Sequence, residues 1–177
     1  MSEGILLAKV ARGTLLPEAD RVARLQEALP QIRAAVADEP DEVAVLATLA
    51  CLLWETLPQA NWCGFYRVVA PRMLAVGPYQ GGMGCLRIPF ERGVCGAAAR
   101  TGETQLVPDV HAFPGHIACD DATRSELVIP VVAKGRLRGV LDLDCPHPDG
   151  FSGAEAALLE GLLREPWMES LNWTDLG

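Results

Sequence analysis

The chain has 177 residues, 50% of them hydrophobic and 21% charged, with a net charge of −8 and a pI near 4.8. That length suits one domain with a sizeable core. The acidic balance excludes a nucleic-acid binder, which needs clustered positive charge against phosphate. No apolar run reaches the roughly 18 residues of a membrane helix, and the opening MSEGILLAKVARG does not read as a signal peptide, so a cytoplasmic protein is expected.

Six cysteines are spread along the chain: Cys51, Cys63, Cys85, Cys95, Cys119 and Cys145. In a cytoplasmic protein these point to metal binding, redox chemistry or burial rather than to a disulfide framework. No C-x-x-C pair occurs, which weakens zinc-ribbon and thioredoxin-type readings.

Residues 19–37 place Val22, Leu25, Leu29, Ile32 and Val36 at helical steps, with Arg21, Arg24, Gln26, Glu27 and Arg33 largely on the other face. Pro30 predicts a kink or break there. Pro40-Asp41 signals an N-cap for a second helix through Leu57. Its face is Val45, Leu46, Leu49, Leu52 and Leu53, and Cys51 is expected within that packing as an inert thiol. From Asn61, NWCGFYRVVA suits a strand, and Pro71-Arg72 turns into a second, MLAVGPY. QGGMG at 80–84 lacks phosphate-loop and dinucleotide spacing. It reads as a permissive turn where the backbone passes close to something.

A short strand, LRIPF, follows Cys85. GVCGAAARTG predicts a helix ended by Gly102, with Cys95 in its first turn, where the partial positive charge favours a thiolate. TQLVPDV is the next strand. The polar stretch HAFPGHIACDDATRSE, 111–126, leads into ELVIPVVAKGRLRGVLDLD, a hairpin around Lys134-Gly135. Alternation in its second arm puts Leu137, Gly139, Leu141 and Leu143 on one face and Arg138, Val140, Asp142 and Asp144 on the other. A last helix spans Gly153–Leu163. The tail carries Trp167 and Trp173, free either to pack on the domain or to meet a second subunit. The order predicts an α+β domain: a mostly antiparallel central sheet flanked by N-terminal helices (19–57) and C-terminal helices, a core segment over 61–163, which the resemblance below makes the catalytic core, and a tail over 164–177.

Four segments, NWCGFYRV, GPYQGGMGCLRIPFERGVCGAAA, VPDVHAFPGHIACDDATRSELVIPV and GVLDLDCP, together resemble the free methionine-R-sulfoxide reductase family, which is built on a GAF domain. The resemblance covers Asn61 to Leu163. It implies reduction of the R epimer of free, not protein-bound, methionine sulfoxide. Its three motif cysteines fall on Cys119 as nucleophile, Cys85 as main resolver and Cys95 as auxiliary. Its pocket residues fall on Trp62, Tyr66, Glu126, Asp142 and Asp144. It also implies no cofactor, a thioredoxin-like dithiol reductant and a homodimer. Two positions depart from the pattern. Cys145 stands where serine is expected, a possible extra thiol beside the pocket, and Glu91 stands where glycine is usual.

The chemistry fits those residue types. A thiolate attacks the sulfoxide sulfur while an acid protonates the oxygen; the resulting sulfenic acid condenses with a second thiol to a disulfide. Glu126, Asp142 and Asp144 would hold the substrate's α-ammonium, which a residue inside a protein lacks, and one of them, kept protonated, could donate to the oxygen. Trp62 and Tyr66 would wall the methyl-sulfinyl end. Cys63, next to Trp62 on a strand, points to the opposite face. His111 and His116 with Cys119 and Cys85 would make a zinc site only at unusual spacing, so no metal is expected. Two other classes compete: a GAF-type small-molecule sensor, which would normally carry an output domain not seen in 177 residues, and a thiol redox switch. The length of the 111–126 stretch suggests a lid that brings Cys119 first to substrate and then to Cys85.

Overall fold

A computed structural model describes residues 7–115 and 121–174. Helix α1 (Glu18–Val36) and helix α2 (Glu42–Thr56) precede strands β1 (Trp62–Ala70), β2 (Met73–Gly81) and β3 (Arg87–Pro89). Helix α3 (Gly93–Thr101), strand β4 (Gln105–Val107), a 3₁₀ turn (Val110–Ala112), strands β5 (Ser125–Ala133) and β6 (Arg136–Cys145), then helices α4 (Gly153–Leu163) and α5 (Pro166–Ser170) complete the chain. The six strands form one sheet in the order β3-β2-β1-β6-β5-β4, antiparallel at every pairing. The expected α+β class and GAF-like sheet are therefore present.

Local signals set most boundaries. Asp41 caps α2 by accepting from the Ala44 N–H at 2.8 Å, and Gly102 ends α3 in the left-handed region with φ 70°. Lys134 and Gly135, with φ 53° and 69°, make the tight turn between β5 and β6. Helix α1 runs unbroken through Pro30. Pro30 is exposed, so its missing N–H weakens only the solvent side while Leu25, Leu29 and Ile32 stay packed.

Alternation along the central strands separates two cores. Cys63, Phe65, Leu127, Ile129, Val131, Leu141, Leu143 and Cys145 face α1, α2 and α4. Trp62, Tyr66, Leu74, Val128 and Val140 face the other way, toward β3 and α3. Cys63 is thus a core thiol on the face opposite Trp62, as expected. Leu137 is not where alternation put it: it packs with Val140's core, not with Leu141's. The register steps from Val131↔Gly139 to Val132↔Leu137, so Arg138 is an extra, bulged residue that reverses the parity behind it.

Three further expectations fail for helix or long-range reasons. Cys51 is exposed, because it lies about 200° around α2 from both Leu49 and Leu53. Arg21 is buried rather than on a polar face, drawn in by Glu155 of α4. Cys145 points into the helix-side core against Gly150, away from the cavity that Asp144 faces. The tail tryptophans Trp167 and Trp173 pack on that same helix-side core. Among the described residues no helix is long and apolar enough to cross a membrane.

Candidate active site

The sheet face away from α1 and α2 carries a cavity of about 280 Å³. Its floor is set by strand register. Trp62 on β1 pairs with Asp144 on β6, which pairs with Glu126 on β5, so the three stand in one row. Two rows along, Asp142 sits between Gly64 and Val128. Alternation carries Glu126, Asp142 and Asp144 to one face, where one carboxylate oxygen from each lies within 4.8 Å of the other two.

An aromatic wall stands beside the acids. Trp62 stacks on Tyr66 with ring centres 5.5 Å apart, and on Tyr79 at 5.1 Å. Tyr79 reaches that face because β2 bulges between Val76 and Tyr79, which changes its parity relative to Leu74. The Trp62 Nε1–H donates to the Gly82 carbonyl at 3.2 Å. The close backbone approach expected of QGGMG is realised at Gly84, where a Cβ would stand 2.9 Å from the Tyr66 hydroxyl and 3.2 Å from the Trp62 ring. The turn itself is shorter than expected, since β2 continues through Gln80 and Gly81. Gly93, Val94 and Cys95 close one side of the cavity and Thr123 another. Thr123 accepts a hydrogen bond from Asn61 Nδ2 at 3.3 Å; nothing in its sequence setting singled it out.

Burial dominates the electrostatics. Glu126 and Asp142 are both held above the ordinary carboxylate range, first by desolvation, with Asp142 adding repulsion at Glu126. Hydrogen bonds from the Cys95 thiol and the Leu143 N–H partly offset the rise at Asp142. Asp142 Oδ1 is buried without a hydrogen-bond partner. Burial, Asp142, Cys95 and Asp144 push the Tyr66 hydroxyl up as well, against the Cys85 backbone hydrogen bond it makes. None of the described lining residues is basic, so a cationic ligand group would relieve the strain on the acids. The three acids are also the described cluster that could hold a metal ion, but crowded, proton-retaining carboxylates suit an ammonium group at least as well.

The cysteines separate clearly. Cys85 is disulfide-bonded and packs at the edge of the aromatic core, whereas Cys51, Cys63, Cys95 and Cys145 are free. The expectation that the start of α3 would favour a Cys95 thiolate is overturned. Burial, Asp142, Glu126 and Asp144 together push its thiol well up, and a helix-terminal effect of about 1 kcal/mol cannot compensate. His111 lies in the 3₁₀ turn, its N–H on Asp109 at 3.0 Å. Cys119, His116 and the centre of the expected lid lie outside the described residues.

The GAF domain model matches residues 20–165. Free methionine-R-sulfoxide reductase of Saccharomyces cerevisiae is 43% identical over 129 residues, covering 69% of this chain and 72% of the relative. The Escherichia coli protein of the same name is 48% identical over 111 residues, 63% of this chain and 67% of that one. This chain belongs to the free methionine-R-sulfoxide reductase family. A crystal structure from the same family, the Neisseria meningitidis reductase in complex with its substrate, superposes with a TM-score of 0.79 at 42% identity, over 90% of this chain and 93% of that one. In this free methionine-R-sulfoxide reductase family member, the span matched by the GAF domain model, residues 20–165, contains both the aromatic wall and the three acids.

Proposed function

We propose that the protein reduces the R epimer of free L-methionine sulfoxide to methionine by thiol chemistry. The observation that carries this reading is the cavity in which a Trp62–Tyr66 wall stands beside three buried acids, one oxygen of Asp142 lacking a partner. Free methionine sulfoxide supplies what that arrangement lacks: an ammonium for the acids and a methyl-sulfinyl end for the aromatic wall. The Val94 and Cys95 N–H groups, in the first turn of α3 on the cavity wall, are donors for the substrate carboxylate. A peptide-bound residue, with an amide in place of the ammonium, would leave the acids desolvated and unpaired.

The Cys119 thiolate attacks the sulfoxide sulfur. The carboxyl that keeps its proton, Glu126 by the balance of burial and repulsion, donates to the oxygen, and methionine departs. Cys119 is left as a sulfenic acid. The Cys85 thiol displaces water to form a disulfide, and a thioredoxin-like dithiol reduces it by exchange. Cys85 being disulfide-bonded supports its place as resolver. The free thiols elsewhere suit the cytoplasm, and a homodimer follows from the family resemblance alone.

Methionine formation from the free R sulfoxide and a small dithiol tests this directly. Cys119→Ser should fall at least 10³-fold below the parent chain, to background. If Cys119→Ser kept its rate, the nucleophile would be misassigned. Binding of the sulfoxide without methionine formation would mean a sensor, and peroxide-driven disulfide formation without sulfoxide reduction a redox switch.

A further inference from the structure

Tyr79 touches the aromatic wall of the site without lining its cavity, whereas Trp62 and Tyr66 do both. Two backbone features bring it there. Strand β2 carries an extra residue between Val76 and Tyr79, which sets Tyr79 opposite Gly64 on the face that Trp62 and Tyr66 share. Gly64 has to lack a side chain at that point. A Cβ on it would stand 2.2 Å from the Tyr79 Cβ and 2.9 Å from the Pro78 carbonyl oxygen. Seated over this notch, the Tyr79 ring lies 5.1 Å from the Trp62 ring at an angle of 15°. The indole is thereby held by the buried Tyr66 ring, by Tyr79, which is 36% exposed, and by the Gly82 carbonyl that accepts its Nε1–H. Tyr66 and Gly82 belong to the cavity lining; Tyr79 supports the indole from outside it.

We propose that Tyr79 is a positioning residue that restricts the S-alkyl group of the substrate to methyl. It acts through Trp62. The stacked ring keeps the indole from moving outward, and a fixed indole sets the room between the wall and the three acids. This rests on the proposed reaction and adds what selects the far end of the substrate. With the ammonium held at the acids and the S-methyl group at the indole, one extra methylene fits only if the wall retreats. Close packing on both sides of the indole opposes that movement. The contact is ring on ring, so the Tyr79 hydroxyl has no part in it. No bond forms or breaks at Tyr79.

The test compares the parent chain with Tyr79→Phe, which keeps the ring, and Tyr79→Leu, which keeps apolar bulk without a flat face. Each receives free L-methionine-(R)-sulfoxide or free L-ethionine-(R)-sulfoxide with a small dithiol. The parent should favour the methionine compound in kcat/KM by about tenfold or more, the range of one methylene in a fitted pocket. Tyr79→Phe should match the parent. Tyr79→Leu should narrow the preference by about fivefold or more, with KM for methionine sulfoxide up about threefold to tenfold and kcat within about twofold. Tyr79→Met is the second variant, with the same expectation, should leucine at that strand position impair folding. An unchanged preference in these variants would overturn the proposal, whether their rates matched the parent or fell equally on both sulfoxides. Equal rates for the two sulfoxides in the parent would overturn it too, and so would a preference narrowed as much by Tyr79→Phe. If the parent made no methionine, the reduction reading would fail, and calorimetric dissociation constants for the two sulfoxides would still decide the role of Tyr79. A parent that bound neither sulfoxide would overturn both.

Discussion

Asp142→Asn is expected to lower kcat/KM for free methionine sulfoxide about a hundredfold, mainly through KM, while making the empty protein more stable. The first effect follows from removing a buried, charge-assisted partner of the ammonium, worth about 2–3 kcal/mol. The second follows from linkage. Asp142 and Glu126 titrate higher in the folded protein than in the unfolded chain. Between those two ranges the folded state holds more protons, so its stability is full on the acid side and declines as pH rises through the raised range. Asparagine removes the charge that Asp142 carries and leaves Glu126 without that repelling neighbour. The variant should gain about 1 kcal/mol near neutral pH, roughly 2–4 °C in Tm, and lose much of the pH slope. Thermal melts of the ligand-free protein across the neutral range, paired with steady-state kinetics, read both effects. A variant that lost stability and kept its KM would show that Asp142 serves the fold and not the ligand.

The parts of this site that strand alternation controls were legible from the chain. Asp142 and Asp144, two residues apart on a strand, had to share a face, and Cys63 had to leave the face of Trp62. What alternation cannot see is a bulge. Tyr79 joins the aromatic wall, and Leu137 changes cores, because one strand of each pair carries an extra residue that no local pattern marks. Cys51 and Cys95 show a different limit. A cysteine's neighbours in sequence say little about burial, and the helix-terminal field expected to ionise Cys95 is outweighed by burial and by acids brought in from β5 and β6. The residue types that matched the family located the cavity; the burial of its acids and Thr123 needed the three-dimensional fold.

Arg21 illustrates the same point for stability and carries the second large effect. Glu155→Ala is expected to cost about 3–5 kcal/mol, because it strands a buried guanidinium. Glu155 is fully buried, accepts from Arg21 Nε at 3.2 Å and Gln59 Nε2 at 3.0 Å, and closes a capping box with Ser152. It thereby ties α1 and the α2–β1 connection to the start of α4. Arg33 and Glu165 also pair, but both are partly exposed, and Glu165→Ala should cost no more than about 1 kcal/mol. Urea unfolding of the two variants separates the cases. Equal losses would mean that burial of the Arg21–Glu155 pair confers no special dependence. The difference matters for the site, since α4 packs against β5, the strand that presents Glu126.

The most direct measurement offers the protein three substrates with one dithiol: free L-methionine-(R)-sulfoxide, its S epimer, and the R sulfoxide with its amino group acetylated. A cavity whose acids bind an ammonium beside an aromatic wall predicts methionine from the first alone, one equivalent per dithiol oxidised. It predicts a rate for the acetylated compound at least 10³-fold lower. Comparable rates for the free and the acetylated R sulfoxide would contradict the account, because the three buried acids would then have no part in choosing the substrate.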